Sequence, residues 1–468
     1  MISQETNLQQ KYLQALITRY NQRTKTSKQM AQTYRPALAD SKIYTGFHNL
    51  FKEMVYPIVA KRSQGSKTWD VDGNEYIDLM MGFGVNLFGH NPPFIKEALQ
   101  EQLDKGIQLG PQSEFAGEVA ELICELTGME RVAFSNTGTE AVMTAIRLAR
   151  AVRNRHKIVI FSGSYHGHFD GTLVKAQTEN GNLRVLPLAP GIPPNMVEDV
   201  LVLEYGNPES LEVIKAHQEE IAAVLVVPVQ TSRPDFQPKT FLMELRELTK
   251  ESGMVLIFDE MVTGFRIHPG GVQAWFGIEA DIATYGKIVG GGMPIGIIAG
   301  KAVYMDAIDG GMWNYGDSSY PQAKTTFFAG TFCKHPLAMA AARAVLKYLK
   351  TQGPALQQQL NQRTSQFIEA LNTYFEEDNV PVRMVNFGSL FGSASSRNSV
   401  AAENPAASTS MDLLRYHLLD RGILLLGGGG YLSTAHTDED IAYIIQAVKD
   451  SVKELREGGF LPDPAKIS

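Results

Sequence analysis

"IATYGKIVGGGMPIGIIAG", residues 282–300, runs from an apolar stretch into Lys287 and then through Gly290, Gly291, Gly292 and Gly296. Backbone of this kind approaches a ligand closely, so the lysine reads as a loop residue at a site and not as part of a solvated helix face. A surface lysine beside a plain turn is the other reading of the same residues. The stretch ends in "GIIAG" (296–300), one of a series of short apolar segments that includes "RVAFS" (131–135), "KIVIFSG" (157–163), "AAVLVVPV" (222–229) and "MVLIFDE" (254–260). Helical spacing fits residues 94–105 and 114–126. Apolar strands separated by helices predict an α/β domain whose mostly parallel sheet is covered on both faces.

The strand-and-helix alternation places a large domain at 95–334. Upstream, "KTWDV" and "EYIDL" flank Asp72 and Gly73, a hairpin signal, and a Gly-rich loop over 81–86 follows. Downstream come long helical patterns, a polar stretch over 393–410 that reads as a mobile loop, and a helix–strand–loop–helix tail. Neither end holds a full core alone, so 46–94 and 335–468 are expected to share a small domain. Residues 1–45 read as a peripheral amphipathic helix and linker.

The chain has 468 residues, 20% charged and 44% hydrophobic, with a formal net charge of −7. This is an ordinary globular composition; no basic stripe points to nucleic acid, and no apolar run of about 18 residues points to a membrane. Cys124 and Cys333 stand apart without a CxxC or Cys/His spacing, which supports neither a disulfide framework nor a metal site. A cytoplasmic location is the expectation.

Three further motifs sit at strand ends. In "SNTGTEAVMTAIRLAR", a turn through Thr137, Gly138 and Thr139 opens a helix, where backbone N–H groups and the helix dipole attract a phosphate; ordinary capping of the helix by Thr139 is the other reading. In "LIFDEMVTGFR", Asp259 ends an apolar strand, where open α/β sheets bind ligands, although a strand-end acid can also cap a loop. In "FSGSYHGHFDG", Tyr165 and His166 follow a third strand end, and an aromatic there can lie over a heterocycle. His166 and His168 lack a third ligand for a metal. A phosphate cradle, a ring platform, a carboxylate and a lysine together suit pyridoxal 5′-phosphate, which has a phosphate, a ring, a protonatable ring nitrogen and an aldehyde.

Through "DVDGNEYIDL", "GHNPP", "TGTEA", "YHG", "DEMVTGFR", "GKIVGGGMPIG" and "AGTFCKHPLAMAAA", the chain resembles the class III aminotransferases of pyridoxal-phosphate fold type I, and within them the glutamate-1-semialdehyde aminomutases. "QLGPQSEFAGEVAELICELTGMERVAFSNTGTEA" and "LSTAHTDEDI" resemble most closely the aminotransferase domains of hybrid polyketide/nonribosomal-peptide synthetases. The resemblance spans about residues 45–455. It implies a large domain around a seven-stranded sheet and a smaller α+β domain built from both chain ends.

The resemblance also implies roles. Lys287 would form a Schiff base with the cofactor and move a proton, Asp259 would pair with the ring nitrogen, Tyr165 would stack on the ring beside His166, and Met261 would pack on the opposite face. Thr137, Gly138 and Thr139 would hold the phosphate, with Thr331 of a second copy, which makes a homodimer with a shared site the expected assembly. The implied activity is transfer of an amino group from an amino acid to a carbonyl acceptor, either a β-ketoacyl thioester on an acyl carrier protein or an aldehyde or ketone of secondary metabolism. An aminomutase and a low-turnover cofactor-binding or carrier-docking protein are the alternatives. Three departures stand out. Val227 occupies a position where relatives carry Glu, Ser232 and Arg233 fall where other relatives carry a gating Glu, and Gly427 to Gly430 replace a more featured segment. That glycine run would widen whatever it lines or form a plain mobile loop.

Overall fold

The computed structural model describes residues 2–41, 47–179, 182–394, 405–425 and 427–462. The chain divides into two compact units, Pro93–Asn361 and Met1–Pro92 with Gln362–Ser468.

The larger unit is built on seven strands: β1 (Arg131–Ser135), β2 (Lys157–Phe161), β3 (Val200–Leu203), β4 (Ile221–Val226), β5 (Val255–Asp259), β6 (Ile282–Gly286) and β7 (Gly296–Gly300). Their order across the sheet is β1-β7-β6-β5-β4-β2-β3. The neighbours from β6 to β3 pair in parallel, and β7 runs antiparallel to both β6 and β1. The mostly parallel α/β sheet expected from the sequence is therefore present. Two strands, β3 and β6, were not among those read from the sequence. "VLVL" is too short for periodicity to identify, and "IATYG" breaks its apolar run with Thr and Gly.

Every residue of β4, β5, β6 and β7 is buried, because helices cover both faces. Alternate residues Ile158 and Ile160, Ala223 and Leu225, Val255 and Ile257 pack against Val142, Ala145, Ile146 and Ala149 of the helix Gly138–Arg153. On the opposite face Phe161 meets Phe241 of the helix Lys239–Ser252 edge-on, ring centroids 5.6 Å apart. Each fully buried aliphatic side chain contributes roughly 1.5–3 kcal/mol. This sandwich fixes the strand directions, and the chain segments that follow β2, β3, β4, β5 and β6 all emerge along one edge of the sheet.

Two local devices shape that edge. Gly296, the first residue of β7, pairs with Gly286 on one side and Ser135 on the other. A Cβ at Gly296 would lie inside van der Waals contact of the Thr137 carbonyl, so the start of the helix Gly138–Arg153 can close on the sheet only over a glycine. The second device is Glu260, directly after Asp259 and 1% exposed. Its carboxylate accepts hydrogen bonds from Val272 N (2.7 Å), Gln273 N (3.3 Å) and Thr263 Oγ1 (3.1 Å), tying the turn after β5 to the helix Gly271–Phe276. Desolvation raises its pKa to about 7 against the pull of those donors.

The larger unit extends beyond the boundary at 334 read from the sequence. The helix Pro336–Gln352 packs on the helices Pro93–Lys105 and Ala116–Thr127 and on the turn Lys287–Gly290, and buries Met339, Val345, Leu346 and Leu349. An amphipathic pattern reveals that such a helix is buried without revealing which core it joins.

The smaller unit holds a four-stranded sheet, in which Ala60–Gln64, Lys67–Asp70 and Glu75–Asp78 form a meander and Ile423–Leu424 adds in parallel. A second sheet joins Met384–Phe387, Leu390–Ser393 and Gly430–Tyr431. The N-terminal segment is two helices, Ile2–Arg23 and Lys25–Tyr34, and not a helix with a linker. It is less peripheral than its composition suggested: Leu16 and Tyr20 are 1% exposed, Tyr20 meets Tyr56 and Tyr416, and Arg19 pairs with Asp420 and Glu454. Residues 81–84 form a tight turn with positive φ at Met81, Gly82, Phe83 and Gly84. Most of the polar stretch over 393–410 lies outside the described residues, and its end belongs to the helix Pro405–Asp420. The glycine run has a packing cause for half its length: a Cβ at Gly429 would strike the Phe391 carbonyl, and one at Gly430 would lie 2.6 Å from the Leu79 carbonyl. Among the described residues, no helix is long and apolar enough to cross a membrane, and no group of acidic, His and Cys side chains is arranged to hold a metal.

Two outcomes follow. Gly296→Ala should lower stability by about 2–3 kcal/mol, because a backbone carbonyl cannot move aside as a side chain can, whereas Gly277→Ala, at φ +70° with open space around it, should cost about 1 kcal/mol; thermal midpoints of the two variants compare them, and equal losses would remove the close-approach argument. Glu260 holds its proton more tightly in the fold than in the unfolded chain, so it weakens the fold as pH rises from about 4.5 to about 7, by roughly 3 kcal/mol once the rise is complete. Glu260→Gln should flatten that decline in the thermal midpoint between pH 5 and 8.

Candidate active site

The strand ends converge on Asp259 and Lys287. Asp259 is the last residue of β5, 4% exposed, and pairs in register with Thr284 of β6. Its Oδ2 lies 2.8 Å from His166 Nδ1, and its Oδ1 accepts from Met261 N at 3.2 Å and Thr284 Oγ1 at 3.4 Å. His166 is 3% exposed, and its Nε2 has no partner among the described residues.

Lys287 follows β6 and opens a short 3-10 turn, Lys287–Gly290. Its φ is +43°, in the left-handed region that a β-carbon disfavours. Such strain is held only where the surroundings over-determine it, here by β6 before it and the helix Pro336–Gln352 packed on the turn. The lysine is half-buried. Burial lowers its pKa, the nearby Arg266 charge lowers it further, and Asp259 opposes both. The result is an amine with more of its neutral, nucleophilic form near neutral pH than a surface lysine has.

The third component is the N-terminus of the helix Gly138–Arg153. Thr137 Oγ1 accepts from Glu140 N at 3.2 Å, and Glu140 Oε2 turns back to accept from Asn136 N at 2.7 Å. This is the capping arrangement the sequence allowed, performed by Thr137 and not by Thr139. It ties the carboxylate of Glu140 to backbone, while the N–H groups of Gly138 and Thr139 have no acceptor within the helix. Thr139 Oγ1 accepts from His168 N at 3.2 Å, and Gly167 packs on Thr139 so closely that a β-carbon would clash. The loop carrying Tyr165 and His166 is thereby drawn over the helix start.

Met261 lies between these parts. A Cβ at either Gly138 or Gly286 would come within 2.9 Å of its sulfur, so the thioether fills the space between the helix start and the end of β6. Tyr165 stands with 72% of its surface exposed. Thr331 is exposed as well, in the segment before the helix Pro336–Gln352. Val227 is half-buried directly after β4.

Sequence reasoning missed Thr284, Gln230, Glu260 and Arg266. Thr284 carried a faint signal as a polar residue in an apolar strand, one register step from Asp259. Gln230, 2% exposed, donates from Nε2 to Ser162 O (2.8 Å) and Ser164 Oγ (2.9 Å), binding the loop after β4 to the loop after β2; nothing local marks it. Arg266 is 2% exposed and follows Phe265 at φ +61°. The turn that carries it is held by Gln357 Nε2 on Phe265 O and Asn361 Nδ2 on Ile267 O, both at 3.0 Å.

A desolvated amine, a buried carboxylate ordered by a histidine, and a helix N-terminus that attracts anions are thus brought to one edge of one sheet. Comparison with known proteins matches this architecture. The family model "Aminotransferase class-III" matches residues 51–448. The glutamate-1-semialdehyde 2,1-aminomutase of Chloroflexus aggregans is 36% identical over 412 residues, covering 85% of this chain and 91% of that protein. Among solved structures, an omega-transaminase from Sphaerobacter thermophilus superposes with a TM-score of 0.81 at 28% identity, covering 92% of this chain and 98% of that one. A structure described as a transaminase with PLP bound gives 0.79 at 29%, covering 93% and 99%. The chain belongs to the class-III aminotransferases, a pyridoxal-phosphate-dependent family of fold type I.

Proposed function

We propose that this chain transfers an amino group from an amino-acid donor to a carbonyl acceptor, with Lys287 as the reacting lysine. The single observation behind the reading is a desolvated Lys287 directly after β6, within electrostatic reach of a buried, histidine-held Asp259 at the end of the neighbouring strand β5. Pyridoxal phosphate, when bound, supplies an aldehyde and a protonated ring that accepts electron density from the amino-bearing carbon.

The chain's own residues divide the remaining work. Lys287 Nζ would hold the cofactor at its aldehyde carbon and would move a proton at the amino-bearing carbon of the donor. Its lowered basicity suits both tasks. Asp259, buried and held through one oxygen by His166, would face the ring nitrogen with the other and hold a proton there. Gly138 N and Thr139 N at the helix start would meet the phosphate. Met261 would face one side of the ring and Tyr165 the other. The fit is supported by the tight approach of Met261 to Gly138 and Gly286, which leaves room for backbone only.

A homodimer is part of the proposal. Met312, Tyr315 and Phe327 are 79%, 91% and 78% exposed in the segment that leads to Thr331, and large exposed apolar side chains of this kind mark protein interfaces. A second copy would cover them and bring its Thr331 to the phosphate. For the acceptor, the sequence likeness to synthetase-linked domains favours a β-ketoacyl thioester on a carrier protein, or an aldehyde or ketone of secondary metabolism. The second reading, an aminomutase of the glutamate-1-semialdehyde type, is favoured by the 36% identical relative that bears that name.

Mixing the holoenzyme with amino-acid donors should shift the cofactor absorbance to the pyridoxamine form, and an external carbonyl acceptor should restore it. No shift with any donor would exclude a transaminase, and release of an isomerised substrate without an external acceptor would favour the mutase. Lys287→Ala should abolish turnover, and Asp259→Asn should lower kcat by about 100-fold or more while leaving the fold intact.

A further inference from the structure

The opposite edge of the seven-stranded sheet holds a cavity of about 520 Å³ that the reaction above does not use. It lies where β5 and β6 begin and β7 ends, between Met254, Asp281 and Lys301. Arg153 lines it from the last position of the helix Gly138–Arg153. Fifteen helical steps of about 1.5 Å put Arg153 roughly 22 Å from the helix start assigned above to the cofactor phosphate. The two are separate places on the molecule.

Below the rim of this cavity one buried acid faces three half-buried cations, Arg153, Arg246 and Lys301. Asp281, 3% exposed, accepts from Leu256 N (2.9 Å) and Arg246 (3.0 Å) on Oδ2 and from Lys301 Nζ (2.8 Å) on Oδ1. Burial by itself would raise its pKa, yet Lys301 and Arg246 outweigh burial and hold it below the usual carboxylate range. Both oxygens of the ionised Asp281 are thus committed, and none is left for Arg153. One Nη of Arg153 donates to the Tyr304 hydroxyl oxygen at 2.7 Å, and the guanidinium lies 5.3 Å from the Tyr304 ring centroid. Among the described residues Arg153 has no ion pair with a carboxylate, and its Nε is buried without a hydrogen-bond partner. Tyr304 is 4% exposed, and burial raises its pKa, so the hydroxyl keeps a proton that points away from Arg153.

The two other acids of the lining, Glu247 and Glu279, are exposed beside Lys250, where solvent screens all three. An excess of partly desolvated cations calls for an anion. Met254 and Ile278, 1% and 3% exposed, add an apolar wall. The volume falls in the range of about 300–1,000 Å³ that holds small molecules, and it leaves room for an organic body behind the charged group.

We propose that this cavity binds a small organic anion, a phosphate ester or a polycarboxylate, with Arg153 as the principal contact and Lys301 and the Tyr304 hydroxyl beside it. The proposal stands whether or not the amino-transfer reading does.

The test is equilibrium dialysis of holoenzyme, its cofactor phosphate in place, against labelled glycerol 3-phosphate and labelled citrate at low ionic strength. Wild type should bind at least one of the two, once per chain, with a dissociation constant of about 1 mM or below. Arg153→Gln should weaken that binding about 10-fold or more, and Tyr304→Phe, which keeps the ring and removes the hydroxyl, about 3- to 10-fold. Arg153→Lys keeps the charge without the guanidinium fork and should fall between wild type and Arg153→Gln; it takes the place of the Gln variant if cofactor content and thermal midpoint show that variant to be poorly folded. Preference for glycerol 3-phosphate would identify the ligand as a phosphate ester, and preference for citrate as a polycarboxylate. No binding of either anion by wild type up to about 10 mM, or binding that no Arg153 variant weakens, would leave Arg153 as an ordinary cation at a helix C-terminus and overturn the proposal.

Discussion

The larger unit depends on one electrostatic constraint: a half-buried lysine that directly follows β6 and a buried aspartate that ends the adjacent parallel strand β5 lie at the same edge of the sheet. Neither group could be placed there without support. Asp259 is held by a histidine, a backbone N–H and a threonine hydroxyl. Lys287 sits at a positive φ that the packed sheet and the helix Pro336–Gln352 enforce. A sheet whose interior strands are apolar throughout can hold such a pair only at its edge, where the ladder stops and polar groups are needed to satisfy the backbone.

The remaining elements serve this edge in different ways. Gly296 lets β7 close beneath the helix Gly138–Arg153, which brings the helix N-terminus alongside β6. Glu260, next in sequence to Asp259, points its carboxylate the other way and fastens the following turn. Two neighbouring acids thus have opposite tasks, decided by what surrounds each: His166 and Thr284 face Asp259, while backbone donors and apolar burial surround Glu260. The loops after β2 and β4 are tied together by Gln230, so Tyr165, His166 and Arg233 are carried on connected supports.

Family membership narrows the chemistry without naming the substrates. The relatives bear the names of an aminomutase and an omega-transaminase. The departures that the resemblance implies lie in the loop after β4, at Val227, Ser232 and Arg233, and at the glycine run. Two of those glycines are required by the close approach of Phe391 and Leu79 carbonyls, which leaves the β4 loop as the more informative departure.

Local sequence determined the apolar strands β1, β2, β4, β5 and β7 and the helix start at Thr137, and it singled out Lys287 as a candidate site residue. Each depends on contiguous residues: a run of buried aliphatics, a capping threonine, a lysine in glycine company. The tertiary structure alone decided which strands are neighbours, and with that the pairing of Asp259 with Thr284, the reach of His166 across 93 positions to Asp259, and the bridge from Gln230 to Ser162 and Ser164. It also decided that the helix Pro336–Gln352 joins the larger unit and that the N-terminal helix buries Tyr20. The physical reason is common to all of these. An amphipathic face or a buried polar atom specifies that it needs a partner, and only the closed chain supplies one.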